Sequence, residues 1–120
     1  MEKTTTQRSG SAAIKFGKFV FFPGRRRLYF GQQYIGLTKK ESGLLALFCD
    51  FANRLLPRSH ALLSLWKYDT RFNGRSMDVY VSRLRKYIRH DPDILIMNVH
   101  GKGFKMLVPD IEMVPDDNGI

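Results

Sequence analysis

The sequence predicts an α+β domain in which a small antiparallel sheet is followed by three helices and a C-terminal β-hairpin. Three observations indicate this order of elements. Short aromatic and β-branched runs fill residues 14–37, apolar residues recur at helical spacing between residues 38 and 90, and two apolar runs bracket the tetrapeptide HGKG at residues 100–103. With 120 residues, the chain is long enough for one such domain with its own hydrophobic core.

The predicted sheet lies in the segment IKFGKFVFFPGRRRLYFGQQYIGL, from Ile14 to Leu37. Pro23-Gly24 and Gly31-Gln32-Gln33 separate its apolar runs, which is typical of antiparallel strands joined by tight turns. The pattern predicts strands at residues 18–22, 26–30 and 33–37, and a further short strand fits residues 14–16.

The first helix is predicted to begin at Thr38, because Thr38 and Glu41 have the spacing of a capping box. In such a box the Thr hydroxyl and the Glu carboxylate satisfy free backbone N–H groups at the helix start. The apolar side chains that follow have the spacing of a helix packed on a core: Leu44, Phe48, Phe51 and Leu55. Cys49, beside Phe48, fits a small buried side chain better than a reactive thiol.

A second, shorter helix is predicted at residues 58–67, directly after Pro57, where the missing N–H of proline costs little. Residues 67–74 lack apolar periodicity and predict a loop, with Asn73 as the N-cap of a third helix over residues 75–90. Asp91-Pro92-Asp93 ends that helix. The runs ILIMNV (94–99) and FKMLV (104–108) then predict a hairpin around a turn bracketed by glycines.

The charge of the chain is unusual for its size. Twenty Lys and Arg against eleven Asp and Glu give a net charge of +9. The four acids of residues 108–120 have no base beside them, which leaves residues 1–107 with 20 bases and seven acids. A domain this basic attracts polyanions, of which nucleic acid and an anionic membrane surface are the usual candidates. No apolar run approaches the roughly 18–20 residues of a membrane span, and a cytoplasmic location is expected.

The third helix, RSMDVYVSRLRKYIRH, concentrates this charge on one side. Four apolar residues fall on a single stripe of the helix and are predicted to face the core: Met77, Val81, Leu84 and Ile88. The opposite side and its flanks are basic and polar: Arg75, Val79, Tyr80, Ser82, Arg83, Arg85, Lys86, Arg89 and His90. Asp78 is the only acid in the helix, so the cations lack the acidic partners that a solvated basic helix usually has.

Such a face favours a helix that enters the DNA major groove, where Arg binds guanine and a Val methyl meets a thymine methyl. Three alternatives stay open from the residues alone: RNA or another polyanion, an acidic protein partner, and a basic surface that faces only solvent. An enzyme is not expected, because no Ser, His and Asp arrangement or carboxylate pair is visible and GKGF lacks the spacing of a phosphate-binding loop. The single cysteine, Cys49, excludes an internal disulfide and a cysteine-rich zinc site, and no metal or cofactor is predicted.

Helix, helix, basic helix and hairpin, after a small sheet, is the order of a winged helix-turn-helix. The chain resembles the effector domain of OmpR/PhoB-type two-component response regulators, particularly their Bacteroidetes-type members. The resemblance covers roughly residues 14–108 and rests on four motifs: LTKKESGLLALF (37–48), PRSHALLSLW (57–66), FNGRSMDVYVSRLRKYIRHDP (72–92) and NVHGKGFKM (98–106). The last two motifs are the most specific.

The resemblance implies a winged-helix DNA-binding domain with a four-stranded N-terminal sheet over residues 14–108, between a flexible linker (1–13) and an acidic C-terminal tail (109–120). It implies sequence-specific binding to double-stranded promoter DNA, with recognition helix 75–90 in the major groove and wing 98–105 at the minor groove or the phosphates. Related domains bind head to tail on direct repeats and follow a phosphoacceptor (receiver) domain in the full-length protein. An isolated domain of this kind is expected to be monomeric.

Carried over by position, the resemblance implies DNA contacts from the second helix, the recognition helix and the wing: Arg58, Trp66, Arg75, Ser76, Val79, Tyr80, Ser82, Arg83, Arg85, Lys86, His100, Gly101 and Lys102. Arg83 is the expected base-edge contact, with Val79 as an apolar base contact. Trp66 fits a phosphate contact and a core aromatic equally well. This chain departs from the family's usual pattern at Pro57, where relatives carry Ser or Thr, and at His100, where many carry Arg.

The loop 67–74 corresponds to the segment through which family members contact RNA polymerase, and its candidate contacts are Asp69, Arg71 and Phe72. Phe72 fits an anchor within the domain equally well. Asp78 is expected to pair with a neighbouring arginine and to fix the geometry of the helix.

Overall fold

The computed structural model describes residues 12–115. Eight strands and three α-helices follow one another along this part of the chain: β1 (Ala12–Phe16), β2 (Phe19–Phe22), β3 (Arg27–Phe30), β4 (Gln33–Gly36), α1 (Lys39–Asp50), β5 (Leu55–Pro57), α2 (Arg58–Trp66), α3 (Arg71–Ile88), β6 (Leu95–Val99), β7 (Gly103–Leu107) and β8 (Ile111–Pro115). The strands form two antiparallel sheets, so the predicted α+β class is confirmed.

The first sheet has the strand order β4-β3-β2-β1-β8. Alternate residues along a strand point to the same face, and one face of this sheet buries four large side chains: Phe16, Phe19, Phe21 and Leu28. The predicted meander is confirmed, and the short strand expected at 14–16 begins earlier, at Ala12. Ala12 and Ala13 therefore belong to the sheet rather than to the linker predicted for residues 1–13. Residues 1–11 of that linker lie outside the described residues.

Strand β8 corrects the prediction of an acidic tail over residues 109–120. It pairs with β1, with Ile111 opposite Phe16, so the sheet has five strands where the resemblance implies four. The N–H of Gly17 donates to the backbone carbonyl of Asp110 (3.1 Å) and to its carboxylate (3.2 Å), which fixes the turn before the strand. Residues 111–114 contain a short apolar alternation, but the acidic residues of this segment led to the prediction of a tail instead of a strand. Residues 116–120 lie outside the described residues.

The capping box that begins α1 is confirmed. The N–H of Glu41 donates to Oγ1 of Thr38 at 3.1 Å, and the N–H of Thr38 donates to Oε1 of Glu41 at 2.9 Å. Cys49, near the end of this helix, is buried as predicted, and burial raises the pKa of its thiol.

Helix α1 ends at Asp50 and does not continue to Leu55, which was predicted on its apolar stripe. Asn53 adopts a left-handed backbone conformation (φ 63°), which no α-helix continues through, and its Oδ1 accepts the N–H of Val108 at 2.9 Å. Leu55 consequently lies in β5, which pairs with β7. Three residues are too few to give a strand signal in the sequence, so β5 was not predicted.

Helix α3 begins at Arg71, four residues earlier than predicted. Thr70 is its N-cap, because the Thr70 hydroxyl accepts the N–H of Asn73 at 3.1 Å. The predicted N-cap, Asn73, lies inside the helix and uses its side-chain amide to donate to the carbonyl of Tyr68 at 3.0 Å. The predicted loop 67–74 therefore shrinks to residues 67–70.

The apolar stripe of α3 is buried as predicted, and it packs in one core with α1 and the first sheet: Met77, Val81, Leu84 and Ile88. Strands β5, β7 and β6 form the second sheet, and β6 and β7 are the predicted hairpin. Gly103 in this hairpin has a packing role, because a Cβ there would collide with the carbonyl oxygen of Leu56. Within residues 12–115, no helix is long and apolar enough to cross a membrane.

Candidate nucleic-acid interface

The crest of α3, opposite its buried stripe, is exposed and carries unpaired cations. Arg75, Val79, Ser82 and Lys86 are exposed along it, and Val79 is 51% accessible. No other side chain among residues 12–115 forms a hydrogen bond or ion pair with Arg75 or Lys86. The predicted separation of a buried stripe from a basic exposed side is therefore confirmed for this helix.

The wing lies beside this crest. A groove of about 500 Å³ separates α3 from the β6–β7 hairpin. Polar and charged groups from both elements line it: Asp78, Ser82, Arg85, Asn98, His100 and Lys102. His100, Gly101 and Lys102 at the hairpin turn are all exposed. Helix and wing therefore lie side by side, and both contribute cationic side chains to the groove between them.

The flank of α3 that faces α2 is held by Arg58. This arginine donates to both carboxylate oxygens of Asp78, at 2.9 and 3.1 Å, and to the carbonyl of Gly74 at 3.0 Å. A Cβ at Gly74 would lie 2.9 Å from Arg58 Nη2, so glycine at this position permits the approach. The expected pairing of Asp78 with an arginine is confirmed, and its partner comes from α2. Arg58 was predicted to contact DNA, and in this structure its guanidinium ties α2 to α3.

Arg85 ties α3 to the wing on the same flank. Its Nε donates to the carbonyl of Ile96 at 3.0 Å, and its Nη2 donates to Oδ1 of Asn98 at 2.8 Å. Arg85 was predicted to contact DNA, and in this structure it holds the wing against α3. Asn98 was not singled out in the sequence, because nothing there indicates a partner 13 residues away.

The opposite flank of α3, which faces α1, is built around Glu41. Arg83 Nη1 lies 3.6 Å from Glu41 Oε2, and the hydroxyl of Tyr87 donates to the same oxygen at 3.1 Å. The Arg83 guanidinium also stacks over the ring of Tyr80, with Cζ 4.9 Å from the ring centroid. Burial and the hydrogen bond to Glu41 raise the pKa of Tyr87.

Trp66, at the end of α2, extends this flank. Its ring packs 5.8 Å from the ring of Tyr80, and Lys40 Nζ lies 5.4 Å from its centroid. The indole is partly buried against the core, which accords with the aromatic packing role considered above. Ser76, on the same side of the helix, is partly exposed.

The connection between α2 and α3 and the first turn of α3 expose large aromatic side chains. Phe72 is 81% accessible and Tyr68 is 68% accessible. Phe72 is therefore not an anchor within the domain, which corrects one of the two interpretations of this residue. Asp69 and Arg71 are exposed beside it, and Arg71 and Phe72 belong to the first turn of α3 rather than to a loop.

Three helices with a basic third helix lying beside a β-hairpin define a winged helix-turn-helix domain, the class that the sequence predicts. The family described as "Transcriptional regulatory protein, C terminal" matches residues 31–106. The chain belongs to this family, and the resemblance to OmpR/PhoB-type regulators is confirmed.

Known proteins with similar sequence and structure agree with this assignment. The chain is 46% identical over 102 residues to the transcriptional regulatory protein RprY of Bacteroides fragilis. This match covers 85% of this chain and 43% of RprY. The DNA-binding domain of Escherichia coli CadC has the same fold, with a TM-score of 0.72 at 20% identity over 86% of this chain and 97% of that domain.

The Klebsiella pneumoniae RstA DNA-binding domain, solved in complex with the RstA box, matches with a TM-score of 0.67 and 26% identity. The match covers 79% of this chain and 96% of that domain. The chain spans less than half the length of RprY and of another curated relative, the response regulator MprA of Mycobacterium leprae.

Proposed function

We propose that this domain binds double-stranded promoter DNA sequence-specifically, as the effector domain of a two-component response regulator. The observation that carries the proposal is the unpaired cationic crest of α3 beside the basic wing. An α-helix fits the major groove of B-DNA, which is about 12 Å wide, so Arg75, Val79 and Lys86 would reach bases and phosphates from this crest. Residues 98–105 of the wing would then meet the minor groove or its phosphates.

The charge of this surface gives a first test against the rival partners. DNA binding releases condensed counterions, so the logarithm of the affinity falls linearly with the logarithm of the salt concentration. If the basic face served an acidic protein partner instead, the domain would show no preference among duplexes. Selection from random duplexes, followed by titration of the selected duplex against salt, measures both properties. A domain that binds every duplex equally well would contradict the proposal.

Arg83 is the proposed base-edge contact. Its side chain is half-exposed and is not hydrogen-bonded to any other described residue, so its N–H groups are available for guanine O6 and N7. We expect Arg83→Ala to reduce discrimination between the selected and a random duplex by about 1–3 kcal/mol. Band-shift titrations on both duplexes measure this difference.

Lys15→Ala is the matched control for that variant. It removes the same charge from an exposed position on β1, between two residues that are buried on the other face of the first sheet. We expect Lys15→Ala to weaken both duplexes slightly and equally. An Arg83→Ala protein that discriminates as well as the Lys15→Ala protein would contradict the assignment of Arg83.

A contact with RNA polymerase is a second part of the proposal, supported by the exposure of Tyr68 and Phe72. Large apolar side chains with this accessibility are typical of surfaces that meet another protein. Asp69 and Arg71 beside them would add polar contacts to such an interface.

In the whole protein we propose that an upstream receiver domain regulates this activity in the cytoplasm and that copies bind head to tail on direct repeats. The isolated domain is expected to be monomeric.

A further inference from the structure

Glu41 is a buried carboxylate with more partners than its capping role requires. Its side chain is 3% exposed. Oε1 completes the capping box with Thr38, while Oε2 faces α3 and meets the hydroxyl of Tyr87 and the guanidinium of Arg83. A buried charge is costly unless charged or hydrogen-bonding groups surround it. The second oxygen therefore couples the start of α1 to the DNA-facing helix.

The Glu41 carboxylate restrains Arg83 but forms no short hydrogen bond with its N–H groups. The distance of 3.6 Å from Nη1 to Oε2 is an ion pair rather than a short hydrogen bond. The ring of Tyr80 supports the guanidinium from one face. An arginine has five N–H donors, so one amino group near Glu41 leaves Nε and Nη2 free to donate. Half of the side chain is open to solvent.

We propose that Glu41 is a positioning residue for DNA recognition, which holds the Arg83 guanidinium in an orientation suited to a base edge. This inference rests on the proposed function. A bidentate contact with guanine needs a fixed guanidinium plane, and ordering a long side chain on binding costs conformational entropy. Tyr80 and Glu41 impose that order before DNA arrives.

The carboxylate has a second effect, which concerns non-specific binding. An unrestrained arginine at this position would move to the nearest phosphate, and phosphate contacts carry no sequence information. The negative charge beside Arg83 weakens this attraction. Glu41 is therefore expected to raise the affinity for the selected duplex and to lower the affinity for random DNA.

Glu41→Gln tests the proposal, because glutamine retains an oxygen for the N–H of Thr38 and removes the charge. We expect the ratio of affinities for the selected and random duplexes to fall about three- to tenfold, with random DNA bound as tightly as before or more tightly. Asp50→Asn is the matched control, since Asp50 is an exposed acid of the same helix and its neutralisation changes the net charge equally. The control should leave the ratio unchanged.

A double-mutant cycle with Arg83→Ala assigns the effect to Arg83. In the Arg83→Ala background, Glu41→Gln should leave the ratio unaltered; a drop in that background would overturn the proposal. A Glu41→Gln protein with the ratio of Asp50→Asn would overturn it as well. Circular dichroism melts check that each variant is folded.

If Glu41→Gln does not fold, Glu41→Asp replaces it, because aspartate keeps the negative charge while its side chain, shorter by one methylene, holds the carboxylate further from Arg83. A lower ratio in that variant, with random binding unchanged, supports the proposal, and an unchanged ratio overturns it. A wild-type domain that prefers no duplex defeats the proposed function instead, so the two failures are distinguishable.

Discussion

The two flanks of α3 use their arginines differently. On the flank towards α2 and the wing, Arg58 donates three hydrogen bonds and Arg85 donates two, all at 2.8–3.1 Å to groups of the domain itself. On the flank towards α1, Arg83 has one ion pair at 3.6 Å and an aromatic ring beneath it. The difference separates arginines whose N–H groups bind within the domain from an arginine whose N–H groups form no hydrogen bond with the other described residues.

The largest effect on stability is expected at Arg58, which donates the most hydrogen bonds of the three arginines. Arg58→Ala removes three hydrogen bonds and leaves the Asp78 carboxylate and the Gly74 carbonyl without their donor. Partial exposure of the pair, 39% for Arg58 and 54% for Asp78, reduces the loss. We expect the free energy of unfolding to fall by about 1–2 kcal/mol.

Urea denaturation measures this change, and Arg71→Ala is its control. Arg71 is exposed at the start of α3 and forms no hydrogen bond or ion pair with another described side chain. Its replacement should alter the free energy of unfolding by less than about 0.5 kcal/mol. Equal stability of the two variants would remove the distinction between the flanks.

A smaller effect on stability is expected at Arg85, with a larger effect on the wing. Arg85→Ala leaves the backbone carbonyl of Ile96 and the side-chain oxygen Oδ1 of Asn98 without their donor, so the free energy of unfolding should fall by about 1 kcal/mol. The wing should open locally more often. Hydrogen exchange of the amides between residues 96 and 104 measures this opening.

Lys86→Ala, one residue along the helix, is the control for Arg85→Ala. Lys86 has no partner among the described residues, so its loss should leave amide exchange in the wing unchanged. If Lys86 contacts a phosphate, its removal should reduce the magnitude of the salt slope of DNA binding by about one. Faster exchange in the Lys86→Ala wing would show that Arg85 is not specific in holding the hairpin.

Sequence periodicity was sufficient for most of the fold and for the crest of the site. The stripe from Met77 to Ile88 and the capping box at Thr38 each depend on residues within a few turns of one another. Strand β5 was not predicted because it is only three residues long, and strand β8 was not predicted because it lies in an acidic segment. The early start of α3 escaped because its first turn has no apolar periodicity.

Local spacing in the sequence does not indicate which arginines bind within the domain and which one leaves its N–H groups free. Arg58, Arg83 and Arg85 lie in basic segments and look alike there. Their partners Asp78, Glu41 and Asn98 come from 20, 42 and 13 residues away in the chain. Only the packed arrangement of the elements that carry them brings each pair together.

The smallest effect is expected at Tyr87, and it depends on pH. Burial, and then the hydrogen bond to Glu41, raise the pKa of Tyr87, so the folded state favours the neutral phenol. This stabilisation is fully present below the ordinary tyrosine pKa of about 10. It is lost as the pH rises through the higher pKa of the folded state, because the unfolded chain releases its proton first.

Tyr87→Phe should therefore lower the free energy of unfolding at pH 7 by about 0.5–1 kcal/mol and make its decline between about pH 9 and pH 11 less steep. Tyr68→Phe removes the same hydroxyl from a side chain that is 68% exposed, and it should alter neither quantity. Urea titrations of both variants across this pH range measure the difference. An alkaline decline as steep in Tyr87→Phe as in Tyr68→Phe would mean that the Glu41 flank contributes nothing to folding through Tyr87, and the contrast between the flanks would then concern Arg83 alone.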